Sequence, residues 1–243
     1  MPSNEYPNPM SGHLPYCDPV DAAFDKLLSP LARAKSRQYW SPVGVARLAG
    51  LRLAERGVRR VLDVGSGPGK FCIIAAFAHP ELRFHGIEHR AGLVEAAADL
   101  GRRLHLRNLE FSRGDALAGS WLDFDGFYFF NPFAENSYPP EDVFDSSVKL
   151  SKVRLTTELR RSAELLSSVR IGAVVVTYHG LSGPIPSSFD LVSEERVGPT
   201  FLRTWVKAKR CEEAWYHLES GDRVSRVTQS YWNRGLRAPP RPA

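Results

Sequence analysis

The order of apolar segments predicts an α/β protein built on a doubly wound, mostly parallel seven-stranded sheet with a C-terminal antiparallel hairpin. Three observations carry that expectation. Between residues 60 and 178 short β-rich runs alternate with helical ones, which calls for parallel strands joined by helices on both faces of a sheet. The bend Val64-Gly65-Ser66-Gly67-Pro68-Gly69 lies between the first such strand and the first such helix. After Ser187 two β-like stretches follow one another with no helix between them, as a hairpin closing the sheet requires.

Taken in order, residues 1–19 carry five prolines and little periodicity, and are read as a loop or disordered arm. Across residues 21–37, Ala22, Phe24, Leu27, Leu28 and Leu31 recur at three- and four-residue intervals, a helix interrupted by Pro30. Residues 44–56 form a helix with Val45, Leu48, Leu51 and Leu53 on its apolar side, and Ser41-Pro42 supplies an N-cap followed by proline. Strands are expected at 60–64, 82–88, 109–112, 126–130 and 172–178, the last reading GAVVVTY. Helices are expected at 70–78, 91–106 and 154–169, and the closing hairpin at 190–197 and 201–207.

Composition removes several function classes. The longest apolar run, Phe71 to Ala78, is eight residues, against the roughly 20 that cross a bilayer, so no membrane partner is expected. The first residues lack the basic start and apolar middle of a secretory signal, which places the chain in the cytoplasm. Cys17, Cys72 and Cys211 are widely spaced, so neither a disulfide framework nor a zinc site is expected, and Cys72 reads as core. Net charge is +5, and residues 203–243 hold nine Lys/Arg against four Asp/Glu, so the C-terminal segment carries the whole excess. Such a tail is either a solvated basic end or a contact for nucleic acid or an acidic protein surface.

In a doubly wound sheet, ligands bind beyond the carboxyl ends of the strands, and the first strand-to-helix turn opens that crevice. Three ligands compete for the bend. A nucleoside triphosphate loop needs G-x-x-x-x-G-K-[ST], but Val64 replaces its first glycine and Phe71 its hydroxyl residue. A dinucleotide loop needs G-x-G-x-x-G, but Lys70 stands in place of the third glycine. The third candidate carries no phosphate: Gly65 and Gly67 let the backbone approach an uncharged or zwitterionic ligand, while Asp63 accepts hydrogen bonds from a cationic group or from the loop amides.

D-x-G-x-G-x-G after a first strand resembles motif I of the class I S-adenosylmethionine-dependent methyltransferases. The resemblance implies a loop of Asp63, Gly65, Ser66, Gly67 and Gly69 cradling the amino-acid part of S-adenosyl-L-methionine. It further implies Glu88, at the end of LRFHGIE, as the acceptor for both ribose hydroxyls. Asp115, in FSRGDAL, would meet the adenine amino group, with Ala116 against the ring.

Methyl transfer from a sulfonium is an in-line displacement that needs alignment and exclusion of water, and no metal. Asn131-Pro132-Phe133 ends the fourth strand on the cofactor side, where an amide oxygen and a backbone carbonyl can accept from an amine and an aromatic face can attract positive charge. The stretch is similar to the N-P-P-[YF] motif of amino-methylating enzymes without its second proline. It is also similar to the N-N-F-A-F stretch of the histone lysine methyltransferases that lack a SET domain, matching at Asn131, Phe133 and Ala134, with DVGSGPGK and GIE extending the likeness over residues 58–135. On that basis Asn131, Pro132 and Phe133 are the catalytic segment, Asn131 also touches cofactor, and the acceptor is an amine nitrogen such as a protein lysine.

Tyr39-Trp40-Ser41-Pro42 is read as a cofactor lid or as core, and Lys70 as a solvent-exposed helix start with no chemistry. The acidic residues of 135–147 are read as lining a substrate entrance. The chain thus divides into an arm and lid helix (1–40), a catalytic domain (41–210) and a basic extension (211–243). Two rivals stay open: a small-molecule N- or O-methyltransferase with His179 as base, and a non-catalytic module holding nucleic acid with its basic tail.

Overall fold

The computed structural model describes residues 19–181 and 183–210; the proline-rich arm and the basic extension lie outside the described residues. One seven-stranded sheet runs through the molecule: β1 (Arg60–Val64), β2 (Arg83–Glu88), β3 (Leu109–Arg113), β4 (Gly126–Phe129), β5 (Val174–Tyr178), β6 (Phe189–Val197) and β7 (Thr200–Lys207). Their order across the sheet is β3-β2-β1-β4-β5-β7-β6. The first five are parallel, and β7 pairs antiparallel with both β5 and β6. Chain direction across the sheet reverses between β1 and β4, the position at which open α/β sheets hold ligands.

The period-two alternation of side chains divides the core into two layers. On one face Val61, Phe84, Tyr128, Val174 and Val176 pack against α4 (Val43–Glu55) and α5 (Lys70–Ala78). On the other, Leu62, Val64, Phe127, Phe129 and Val175 meet Trp121, Leu165 and Leu166, the last two on α7 (Lys152–Ser168). Alternation also decides where Asp63 goes. Between Leu62 and Val64 it points to the α5 face, away from the layer that Val64 shares with Phe133. Helix α6 (Ala91–Arg103) packs beside α5, its Ala97 meeting Gly69.

Before the sheet, the helix expected over residues 21–37 is three short ones: α1 (Pro19–Asp25), α2 (Pro30–Ala34) and α3 (Ser36–Tyr39). Pro30 starts a helix instead of merely interrupting one, because Ser29 caps it by accepting from the Ala32 amide and proline suits the first helical turn. The cap expected at Ser41 also differs. The Ser41 hydroxyl lies 2.7 Å from that of Tyr128, and the first amide of α4, on Val43, donates to Asp21 instead.

Lys70 corrects the sequence reading most sharply: it is buried, not a solvated helix start. Its ammonium donates to Asp21 at 2.6 Å and Asp25 at 2.8 Å, and sits over the Phe24 ring. The ion pair ties α1 to the start of α5. Removing one partner from a buried pair costs about 3–5 kcal/mol, since the remaining charge is stranded. Among the described residues no helix is long and apolar enough to cross a membrane.

Candidate active site

Beyond β1 the chain takes three left-handed residues, Gly65, Gly67 and Gly69, with φ of 76°, 53° and 76°. The strand beside it holds this bend in place. Gly65 and Ser66 amides both donate to the Ile87 carbonyl, at 3.0 and 3.1 Å, and the Gly67 amide donates to Glu88 Oε2 at 3.1 Å. Only Gly65 faces the cleft, where a Cβ would stand 3.2 Å from Pro132 Cβ. At Gly67 a Cβ would collide with the Trp40 ring at 2.4 Å. That glycine is required by a tryptophan lying across the bend.

The cleft itself spans the carboxyl ends of β1, β2, β4 and β5, the edge of the sheet at which such folds hold ligands. Val64, Gly65, Glu88, Asp115, Asn131 and His179 all line it. Glu88 is buried, and its two oxygens accept from the amides of Gly67 and Arg90 at 3.1 and 3.0 Å. Each oxygen keeps further lone pairs, so these bonds orient the carboxylate while leaving it able to accept two more donors.

Asp63 lies below the bend with the Cys72 thiol donating to it at 3.3 Å. Burial, opposed by that hydrogen bond and reinforced by the Glu88 charge, pushes its carboxyl up to about 7. The same burial raises the Cys72 thiol, and Cys72 is therefore core with one polar contact. Neither residue reaches the cleft.

At the end of the cleft beyond β3, Asp115 Oδ1 accepts from the Leu117 amide at 2.8 Å, and its half-exposed side chain borders the cleft. Ala116 is packed in the lower layer beside Trp121, whose indole donates to the Ala116 carbonyl at 2.8 Å. Two residues of α7 also reach this end. Arg154 donates through Nε to Glu158 at 2.7 Å, and its Nη2 lies 3.0 Å from His89 Nε2. Glu158 in turn accepts from Asn136 at 2.7 Å.

At the opposite end the chain leaves β4 through Phe130, and Asn131 takes a left-handed φ of 44°, its amide donating to the Gly180 carbonyl at 3.1 Å. The Asn131 carbonyl is used by Ala134, and that of Phe133 by Asn136. Phe133 is buried, while Phe130 and Tyr178 stack with centroids 5.7 Å apart and both meet the His179 ring edge-on. Burial pulls the His179 imidazole down to about 4, so the ring is uncharged at neutral pH.

A roof joins the two ends. Tyr39 donates to the Asp142 carbonyl at 2.6 Å and to Glu135 at 3.2 Å, Gln38 donates to the same carbonyl at 3.2 Å, and Phe144 meets both Tyr39 and Trp40 edge-on. Arg90 crosses beneath, bonding both Glu135 oxygens at 3.0 and 2.9 Å and Asp145 at 3.1 Å. Burial works against its charge, yet the carboxylates of Glu135 and Asp145 hold its pKa above the ordinary value. Of the acids in the 135–147 loop, Glu135 lines the cleft as an entrance residue would, and it shares Arg90 with Asp145.

Residues 58–124 match a family model described as "Putative methyltransferase". The match covers β1 to β3 and stops before β4. An RNA methyltransferase from Salinibacter ruber, solved in complex with S-adenosyl-L-homocysteine, superposes with a TM-score of 0.51 at 18% identity, over 74% of this chain and 99% of that one. A methyltransferase from Geobacter sulfurreducens gives 0.52 at 21% identity, over 80% and 93%. The fold is that of the class I methyltransferases. No curated protein matches in sequence.

Within this methyltransferase fold the residues expected from sequence separate into two groups. Gly65, Glu88, Asp115, Ala116, Asn131, Pro132 and Phe133 line one cleft, as does His179. Asp63, Ser66, Gly67 and Gly69 support the bend from below or behind, with Gly69 pressed against Phe111 and Ala97. Sequence reasoning missed His89, Arg90, Arg154 and Glu158. For the first two a signal was available, since they follow Glu88 directly at a strand's carboxyl end. Arg154 and Glu158 fall within the helix expected over residues 154–169, which singles out neither of them.

Proposed function

We propose that this protein is an S-adenosyl-L-methionine-dependent methyltransferase that methylates an amine nitrogen, with a protein lysine as the acceptor considered first. The observation that carries the proposal is the convergence of Pro132 on Gly65 in one cleft with Glu88 and Asp115. The family match and the fold support the donor half of this reading. The donor fits the residues present: a backbone position where a side chain would meet Pro132, an oriented carboxylate with lone pairs to spare, and a second acid beyond β3.

When bound, S-adenosyl-L-methionine supplies an electrophilic methyl carbon. Everything else falls to the chain. Glu88 accepts from the ribose hydroxyls, Asp115 from the adenine amino group, and Ala116 lies against the ring. Asn131 and the Pro132 carbonyl accept from the acceptor nitrogen and turn its lone pair toward the methyl group. Among the described residues no backbone amide claims the Pro132 carbonyl, whereas those of Asn131 and Phe133 are occupied. The Phe130 and Phe133 rings exclude water, and water exclusion strengthens each of these polar contacts.

A hydroxyl acceptor would need a base to take its proton, and the best such base has a pKa near the working pH. His179, held near 4, is poorly suited to that role, whereas an amine can lose its proton to solvent before it enters the cleft and attack as the free base, with no base needed in the transfer step. The test is transfer of labelled methyl into fractionated lysate by wild type and Asn131→Ala. Label should enter the protein fraction, and the variant should lose about 100-fold in turnover, the size of effect produced by a misplaced reactant. Its affinity for S-adenosyl-L-homocysteine should stay within about threefold. Equal turnover in the variant would remove Asn131 from the chemistry, and label confined to small molecules would remove the protein acceptor.

A further inference from the structure

His89 and Asp115 lie on the cleft wall with His89 Nε2 4.0 Å from Asp115 Oδ1. Left to themselves such a pair tends toward imidazolium and carboxylate joined in an ion pair. A carboxylate committed in that way is a weaker acceptor for anything entering the cleft. The structure holds the pair apart from a third element. Arg154, on α7, brings Nη2 to 3.0 Å from that same Nε2. A guanidinium has donors only, so Nε2 must accept, and the ring's one proton then resides on Nδ1.

Arg154 is itself fixed in position. Its Nε donates to Glu158 Oε1 at 2.7 Å and its Nη1 to the Lys149 carbonyl at 3.1 Å. The other Glu158 oxygen accepts from Asn136, which also donates to the Phe133 carbonyl at 3.1 Å and accepts from the Ser151 amide at 3.2 Å. Glu158 and Asn136 are both buried. The charged groups around His89 are thus Asp115 beyond β3, Arg154 and Glu158 on α7, and Glu88 and Arg90 beside it in the chain.

We propose that Arg154 is a positioning residue for the nucleoside end of the cleft: by donating to His89 Nε2 it keeps the ring from pairing with Asp115 and leaves that carboxylate open to the ligand. The role rests on the methyl-donor reading for the identity of the ligand, but the tautomer at its centre does not. Through Glu158 and Asn136 the same side chain is joined to the carbonyl of Phe133 in the acceptor segment, so one hydrogen-bonded chain spans both ends of the cleft.

Two measurements test the proposal. Long-range ¹H–¹⁵N spectra of the free full-length protein should show His89 protonated on Nδ1, and Arg154→Met should abolish that preference. A ring protonated on Nε2 in wild type would overturn the proposal, whatever the protein binds. Calorimetry with S-adenosyl-L-homocysteine between pH 8 and 5.5 then reads the consequence. Relative to wild type, the affinity of Arg154→Met should fall further toward low pH, the direction expected when an imidazole must give up a proton before the ligand binds. Adding His89→Asn should remove that extra slope, and Glu158→Gln, which keeps Arg154, should not produce it. An Arg154→Met that binds more weakly by one factor at every pH would reduce Arg154 to a packing role and refute the proposal. Wild type failing to bind the compound at all would refute the methyl-donor reading while leaving the spectroscopic result to stand or fall separately.

Discussion

The two ends of the cleft are made of different material. Around Glu88, Asp115, His89 and Arg154 nearly every side chain is charged or hydrogen-bonded, Glu88 already holding two backbone amides and Asp115 one. Around Asn131 the walls are Phe130, Phe133, Tyr138 and an uncharged His179, with the amide side chains of Asn131 and Asn136 among them. On the proposed function the contrast separates two tasks: directed acceptors to hold a polar ligand in one register, and an aromatic wall to protect a nucleophile from water. Substitutions at one end should therefore move affinity, and at the other turnover.

The largest expected effect concerns the floor that both ends share. Asp63 rises from an unfolded value of 3.8 to about 7 because it is buried. Between about pH 4 and pH 7 the folded chain keeps a proton that the unfolded chain has lost, so stability declines as pH rises through that window. Asp63→Asn should abolish the decline, leaving the variant about 4 kcal/mol less penalised than wild type at pH 8, measured by urea unfolding at several pH values. An unchanged pH profile would show that Asp63 is already ionised and solvated.

Next in size is the loss at the acceptor end. Asn131→Ala should lower turnover about 100-fold and leave S-adenosyl-L-homocysteine binding nearly intact. The mirror experiment, Glu88→Gln, should weaken that binding about 30-fold, the equivalent of about 2 kcal/mol for a charged hydrogen bond. Calorimetry and initial rates on both variants sharpen the contrast, and a Glu88 variant that changed only turnover would erase it. Smallest is His179→Asn. Because burial already holds that ring uncharged, turnover should change by less than about threefold and keep its pH profile from 6 to 9.

Much of the fold was legible because it depends on local pattern. All seven strands follow from apolar alternation and turn residues, and the structure shifts their bounds by a residue or two. Helix 91–106 ends earlier, at Arg103, because the chain turns there and His105 takes a left-handed φ of 55°. What stayed hidden depends on partners distant in sequence. Lys70 looks like any helix-start lysine until Asp21, 49 residues earlier, is seen beneath it. Arg154 is simply the first residue of an expected helix until His89, 65 residues earlier, is found at its tip. The motif offers Asp63 to a cationic group or to the loop amides, and the fold shows what the motif does not, that alternation turns it toward α5, where Cys72 donates to it. Pattern announces which residues are special; only the fold says whether they face the cleft or hold it up.

The ammonium under α1 changes what the segment ahead of the sheet is for. Asp21 neutralises Lys70, supplies the acceptor for the first amide of α4, and lies on the same short helix as Asp25. A chain clipped after Asp25 would keep every strand and every glycine of the bend yet enclose a cation facing no counter-charge. Clipping should therefore loosen the bend itself, and hydrogen exchange at Gly67 and Lys70 should rise above that of the uncut chain.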